Sequence, residues 1–249
     1  RVPRVPRVPR VPRAPCPVRT RTRRDVLRCC AGDGAATRKR VVVVGGTGRV
    51  GSATAAALVR LARRRQQVRK EKKSQNGDGY DGNGDGDAME TSSYRWTHVE
   101  VVLAGRDAGK AEIARKAWPE ELADATFQYC DTNKQDTIDT CLSDAQGVDL
   151  VIHAAGPFQQ SEDCAVLQAA LRNKVPYIDV CDDAEHTKRA REQLGDRAKQ
   201  LGVPCCVSCG IYPGLSNVMA SYMCKRGSPK QIRYAYFTAG SGGVGPTIL

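Results

Sequence analysis

Residues Val41 to Gly51 read VVVVGGTGRVG, and this stretch decides the fold. Four β-branched residues in a row mark a short strand buried on both faces, as in a parallel sheet. The run stops at a glycine cluster. Gly46-Thr47-Gly48-Arg49-Val50-Gly51 fits G-x-G-x-x-G, while Gly45, Gly48 and Gly51 fit the looser G-x-x-G-x-x-G. Ser52 to Val59 then suit a helix. Strand, glycine turn and helix in that order make the motif specific for dinucleotide binding, where the glycines alone would read as an ordinary turn. A tight turn needs a residue that tolerates positive φ. A pyrophosphate must approach the backbone where a Cβ would block it. The N–H groups and dipole at the helix start then hold the anion.

Working outward, His98 to Ala104 (HVEVVLA) reads as the second strand and ends in Gly105-Arg106-Asp107. An Asp or Glu at this strand end would meet a free ribose 2′-hydroxyl. The sequence offers Arg106 instead. A guanidinium suits a 2′-phosphate through charge and paired donors, which favours NADP over NAD.

The alternation continues with helix 108–117, strand 126–130, helix 133–142 and strand 149–155. Helix 161–172, strand 175–180, helix 184–201 and strand 203–208 follow. Strands and helices alternating at this length predict an α/β protein, a doubly wound parallel sheet with right-handed crossovers. Ligands of such sheets sit at the carboxyl ends of the strands. The glycine loop, Arg106, Asp131, Gly156 and Asp179 therefore share one rim.

The net charge of +12 resides mostly in the first 40 residues. These hold 13 Lys+Arg against 2 Asp+Glu, and the remaining 209 hold 26 against 25. The folded part is nearly neutral, so nucleic acid is not an expected partner. Arg1 to Pro12 is four copies of Arg-Val-Pro, which favours polyproline II and forms no core. Residues 1–40 read as a basic low-complexity tail or an organelle transit segment, although they contain no serine. Thr22-Arg23-Arg24-Asp25-Val26-Leu27-Arg28 resembles a twin-arginine signal without the apolar region that should follow.

Residues 74–93, rich in Gly, Asp and Asn, read as a flexible insertion. Asp81-Gly82-Asn83-Gly84-Asp85-Gly86 opens like a calcium loop, but its twelfth position is Ser92 rather than Glu. The eleven cysteines are scattered, as free thiols in a reducing compartment are. Cys206-Val207-Ser208-Cys209 is a C-x-x-C with no second ligand pair at zinc spacing, so no metal is expected. No apolar run approaches the ~20 residues of a membrane span.

The motifs VVVVGGTGRVG, VVLAGRD, DLVIHAAGPF, VPYIDVCDD, GIYPGLSN and AGSGGVGPTIL together resemble the saccharopine dehydrogenase-like family, at its NADP-binding domain. The resemblance runs from about Arg40 to Leu249, and its last two motifs are most similar to plant and algal plastid members. It implies a Rossmann domain, NADP(H), a small-molecule substrate, and oxidation or reduction at an imine-like or alkene bond. Gly45, Gly46, Thr47, Gly48, Arg49, Val50 and Gly51 would bind the pyrophosphate. Arg106 would meet the 2′-phosphate and Asp131 the adenine side. Ala154, Ala155 and Gly156 would lie along the ribose and nicotinamide. Residues 41–210 are then the NADP-binding domain, and 211–249 begin a second α+β domain for substrate and homodimer contacts. That domain is expected to be cut short, with one helix and a strand at 232–238. The expected location is the plastid, with the cytoplasm as the alternative.

No catalytic residue is assigned. Tyr177, Asp179, Cys181 and Asp182 sit near the rim, but packing, loop orientation and helix capping account for such residues. His153 on the fourth strand reads as a packed, hydrogen-bonded histidine. Gly240 to Gly245 lacks the lysine of a phosphate loop and reads as a turn. A short-chain-type reductase would carry Tyr-x-x-x-Lys, and no tyrosine here has Lys four residues on. A protein that keeps fold and cofactor without turnover remains the alternative to an oxidoreductase.

Overall fold

The computed structural model describes residues 38–76, 96, 98–143, 146–156, 158, 163–227 and 229–235. The transit-like leader, most of the 74–93 insertion and the Gly240–Gly245 turn lie outside the described residues. Six strands form one parallel sheet in the order β3-β2-β1-β4-β5-β6. The strands are β1 Arg38–Val44, β2 His98–Gly105, β3 Thr126–Tyr129, β4 Leu150–His153, β5 Tyr177–Asp179 and β6 Cys205–Cys206. Between and after them run α1 Arg49–Asn76, α2 Ala108–Ala117, α3 Gln135–Leu142, α4 Ala165–Arg172, α5 Ala184–Leu201 and α6 Leu215–Cys224.

The valine run does what an all-apolar strand in a parallel sheet must do. Val41 and Val43 face one layer, with Ala55, Ala56 and Val59 of α1 and Ala111 and Ala114 of α2. Val42 and Val44 face the other, with Ile138 and Leu142 of α3, Val166 and Leu167 of α4 and Leu194 of α5. All four valines are at most 1% exposed. Side chains alternate along a strand, so only a strand apolar at every position can feed both layers. Small alanines on α1 and α2 let those helices lie close to the sheet.

The sheet is pinned at its amino edge by charge. Lys39 meets Asp149 at 2.7 Å, and Asp149 also accepts from the Arg40 backbone at 2.9 Å. Arg38 and Arg40 both reach Glu100, at 3.0 and 3.5 Å. These three basic residues belong to the first strand rather than to the tail, so β1 begins three residues before the expected boundary. Such half-exposed pairs each contribute about 0–1 kcal/mol.

Two other expectations differ from the structure. Ser74 to Asn76 continue α1 instead of opening the insertion. Residues 232–235 form no strand, and Ile232 and Tyr234 are about half exposed. No neighbouring strand among the described residues is there to pair with them.

Candidate functional site

The strand order reverses between β1 and β4, and the chain leaves that point in opposite directions. A crevice opens there at the carboxyl ends of the strands. Gly45 makes the turn out of β1 with φ of 81°. A Cβ on it would lie 2.6 Å from the Ala155 nitrogen, so the turn can press against the end of β4 only as glycine. A Cβ on Gly51 would run into the Gly45 carbonyl. Gly51 therefore lets the first turn of α1 sit on the loop. Gly48 lies between them with its Cβ direction 3.3 Å from the Gly45 oxygen. Gly46 is crowded as well, since a Cβ on it would lie 2.7 Å from the Val43 carbonyl oxygen, so the turn requires glycine at both 45 and 46.

A cleft of about 350 Å³ follows from this arrangement. Its walls include Gly45, Thr47 and Gly48 from the loop, and Ala154, Ala155 and Gly156 from the end of β4. Arg106 and Lys110 come from the end of β2 and the start of α2. Gly105 brings the two sides together, because a Cβ on it would sit 2.6 Å from Thr47 Oγ1. Asp107 caps α2, accepting from the Gly109 and Lys110 backbone at 2.8 and 3.2 Å. That cap fixes where the helix starts and so places Lys110 beside Arg106. Lys110 is a site residue the sequence reading missed, although its place four residues past Arg106 was a usable signal.

The other expected residues lie behind or beside the cleft wall. Gly46 and Gly51 are buried, and Arg49 and Val50 are exposed at the start of α1. Asp131 orders the loop after β3. Its Oδ1 accepts from Asn133 N at 3.1 Å, and its own N–H donates to Thr137 Oγ1 at 2.9 Å. The neighbours it orders, Thr132 and Asn133, line the cleft.

The inner end of the cleft is aromatic and polar. His153, at the end of β4, has Nδ1 2.9 Å from the Tyr177 hydroxyl. The Phe158 ring stands edge-on to both His153 (4.8 Å) and His186 (5.6 Å). Burial pushes the His153 pKa down to about 3, helped by the facing His186 and opposed by the Ala155 backbone. The ring is therefore neutral near pH 7. Burial likewise raises Tyr177, helped by Asp179, and keeps it a phenol. His153 Nε2 and His186 Nδ1 are buried without a hydrogen-bond partner. Such atoms are costly unless a ligand or water meets them. Nothing in the sequence marked His186 as part of this wall, since it arrives through the capped start of α5. Asp183 makes that cap, accepting from Glu185 N and His186 N at 2.8 and 3.0 Å.

Asp179 holds loops. Its Oδ1 accepts from Cys181 N at 3.1 Å and Ser208 N at 2.7 Å, and the residue is 1% exposed. Burial raises the Cys181 thiol to about 11. Among the described residues, no group of three His, Cys, Asp or Glu could hold a metal ion. No helix among them is long and apolar enough to cross a membrane.

Six parallel strands in this order, with a glycine turn and helix start at the reversal, define a Rossmann-type dinucleotide-binding domain. Residues 90–205 match the family described as "Saccharopine dehydrogenase NADP binding domain". The glycine loop precedes the matched stretch and joins it through the pairing of β1 with β2 and β4.

No curated protein matches the chain. Solved structures with distant likeness include a short-chain type dehydrogenase/reductase from Mycobacterium marinum. It has 13% identity, a TM-score of 0.44, and covers 72% of this chain and 74% of its own. Another is an alcohol dehydrogenase from the archaeon Thermococcus sibiricus, complexed with 5-hydroxy-NADP. Its values are 13% identity, TM-score 0.42, and 69% and 75% coverage. A hydroxysteroid dehydrogenase from Escherichia coli has 11% identity, TM-score 0.45, and 76% and 78% coverage.

Proposed function

We propose that the cleft binds NADP(H) and that the protein is an NADP-dependent oxidoreductase acting on an imine-like or alkene bond. The observation that carries the cofactor reading is one juxtaposition. The glycine turn at the β1–β4 reversal faces Arg106 and Lys110 at the end of β2, within one cleft. The turn and helix start suit a pyrophosphate. Two cations at the β2 end suit a 2′-phosphate, whereas NAD would call for a carboxylate there. The residues present therefore fit the group.

Gly45, Thr47 and Gly48 would cradle the pyrophosphate, and Ala154 to Gly156 would run beside the ribose and nicotinamide. Bound there, the nicotinamide supplies a hydride donor or acceptor. The chain's own groups orient and desolvate it. Neutral His153 and the buried His186 each offer one nitrogen to a polar group at the inner end, and Phe158 excludes water from that end.

The test is calorimetry with NADPH and NADH on the unaltered chain and on Arg106→Ala. A desolvated charge-assisted pair is worth about 1.5–3 kcal/mol, so NADPH should bind about tenfold or more tightly than NADH. Arg106→Ala should erase most of that gap, with Lys110 retaining a remainder. Equal affinities in the unaltered chain would sink the cofactor reading.

A second reading, a cofactor-binding protein without turnover, is favoured by one feature. None of the described residues beyond β6 lines the cofactor cleft, and α6 buries none of its side chains. Following NADPH absorbance with imine and enoyl compounds separates the two readings.

A further inference from the structure

The C-x-x-C beyond the cleft has a geometry that the cofactor site does not use. Cys206 ends β6, and Cys209 follows one turn later. Their sulfurs are 3.1 Å apart, with the Cys209 thiol donating to Cys206 Sγ. Both residues are exposed. A cysteine pair at this separation needs only a small movement to reach bonding distance, ~2.05 Å.

The backbone holds this arrangement in place. Cys206 is fixed by the pairing of Ile178 with it across β5 and β6. Ser208 then takes a left-handed conformation, φ 59°, which turns the chain back so that Cys209 meets Cys206. Such a conformation is costly for a residue with a Cβ and persists where its surroundings impose it. Here Asp179 imposes it. Its carboxylate accepts from Ser208 N at 2.7 Å, and its carbonyl accepts from Cys209 N at 2.8 Å. The turn between the two thiols is thus clamped to the end of β5.

The other described thiols are placed differently. Cys205, next in the chain, points to the opposite face of the strand and packs against the core. Cys130, Cys141, Cys164 and Cys181 are buried, and Cys224 lies on α6.

We propose that Cys206 and Cys209 form a reversible intrachain disulfide, exchanging electrons with a small or protein-borne disulfide in solution. Cys206 acts first. Although the residue is exposed as a whole, partial desolvation of the Cys209 sulfur and its bond to Cys206 hold the thiol up at about 12, so it stays a thiol while Cys206 is free. The Cys206 thiolate attacks one sulfur of the incoming disulfide and expels the other as a thiolate. A mixed disulfide forms. Its formation removes Cys206 as a hydrogen-bond acceptor and negative neighbour, which eases deprotonation of Cys209. The Cys209 thiolate then attacks Cys206 Sγ and expels the second thiolate. Two thiols and one disulfide give one internal disulfide and two thiols. Two electrons and two protons pass to the partner. A dithiol of the same class reverses the sequence.

The experiment uses the 249-residue chain under native conditions. The reduced protein is incubated with glutathione–glutathione disulfide mixtures, quenched with an alkylating agent, digested and analysed by mass. A Cys206–Cys209 link is expected, seen as a peptide about 2 Da lighter than the unalkylated dithiol, with neither Cys206 nor Cys209 alkylated, and lost on adding dithiothreitol. Cys205→Ser should leave the link intact. Cys206→Ser and Cys209→Ser should each abolish it, with Cys209→Ser accumulating the glutathione adduct on Cys206. Circular dichroism on every variant confirms that the fold is retained. The proposal is overturned if Cys209 pairs with Cys205 or Cys224, or if Cys206 stops at the glutathione adduct in the unaltered chain. It is equally overturned if the link forms only after urea is added.

Discussion

His153 shows how one residue can be legible in kind and opaque in place. Its position in an apolar strand already indicated a packed, hydrogen-bonded ring, and it does bond Tyr177. That this ring would also wall a cleft opposite His186 depends on α5 returning beside β4, a pairing of distant segments that no local pattern encodes. The buried ring has a measurable consequence. Unfolded, it takes a proton near pH 6.5. Folded, it resists until about pH 3. Between those values the unfolded chain binds the extra proton, so stability falls as pH drops from about 6.5 toward 3. Near pH 5 the loss from this group should be about 2 kcal/mol relative to pH 7. Urea unfolding at the two pH values should show that loss. His153→Gln should reduce it, even though the substitution lowers stability at pH 7. An unchanged pH dependence in the variant would mean that His153 is not the group responsible.

At the scale of elements, the glycine loop and α1 form one unit, and the three glycines have separable duties. The sequence allowed two overlapping glycine frames, because both satisfy the same spacing of small residues. The frames differ only at their first glycine, and the three-dimensional turn uses both: Gly45 is left-handed, and a Cβ on Gly46 would lie 2.7 Å from the Val43 carbonyl oxygen. Gly51→Val should misplace α1 and destabilise the fold, at about 1–3 kcal/mol or more for an overpacked contact. Gly48→Val should fold, since its Cβ would meet one carbonyl at 3.3 Å, yet lose NADPH affinity. Thermal melting together with calorimetry reads both effects. If Gly48→Val binds NADPH normally, the loop does not cradle the pyrophosphate.

The ends of elements were harder to read than their cores. Arg38 to Arg40 look like tail by composition. They are strand because Glu100 and Asp149 stand opposite them, and those partners lie 60 and more residues away in the chain.

At the scale of the molecule, the alternation of strands and helices was sufficient to predict a doubly wound parallel sheet. The order of the strands was not written in any one stretch. It follows from right-handed crossovers and from which strands are apolar on both faces. The stretch after β6 was legible least. Leu215, Val218, Met219, Tyr222 and Met223 make α6 apolar, and each is more than half exposed. A hydrophobic pattern fixes which side chains seek cover, not what covers them.

The long α1 has a consequence of its own. Twenty-eight residues rise about 42 Å, whereas the seven residues of β1 span about 23 Å. The helix starts at the cleft and runs back beyond the opposite edge of the sheet. Residue 76 ends there, and His98 begins β2 level with Arg38 on that same edge. The segment joining them therefore leaves and re-enters on the side away from the cofactor. Replacing 77–95 with a short glycine–serine linker should leave NADPH affinity unchanged within about twofold, as calorimetry can check. A marked loss of affinity would show that the segment reaches around to the cleft. The same geometry makes this junction an attachment port: a dye, an affinity tag or an entire guest domain could be carried there as cargo, with the sheet standing between the passenger and the ligand.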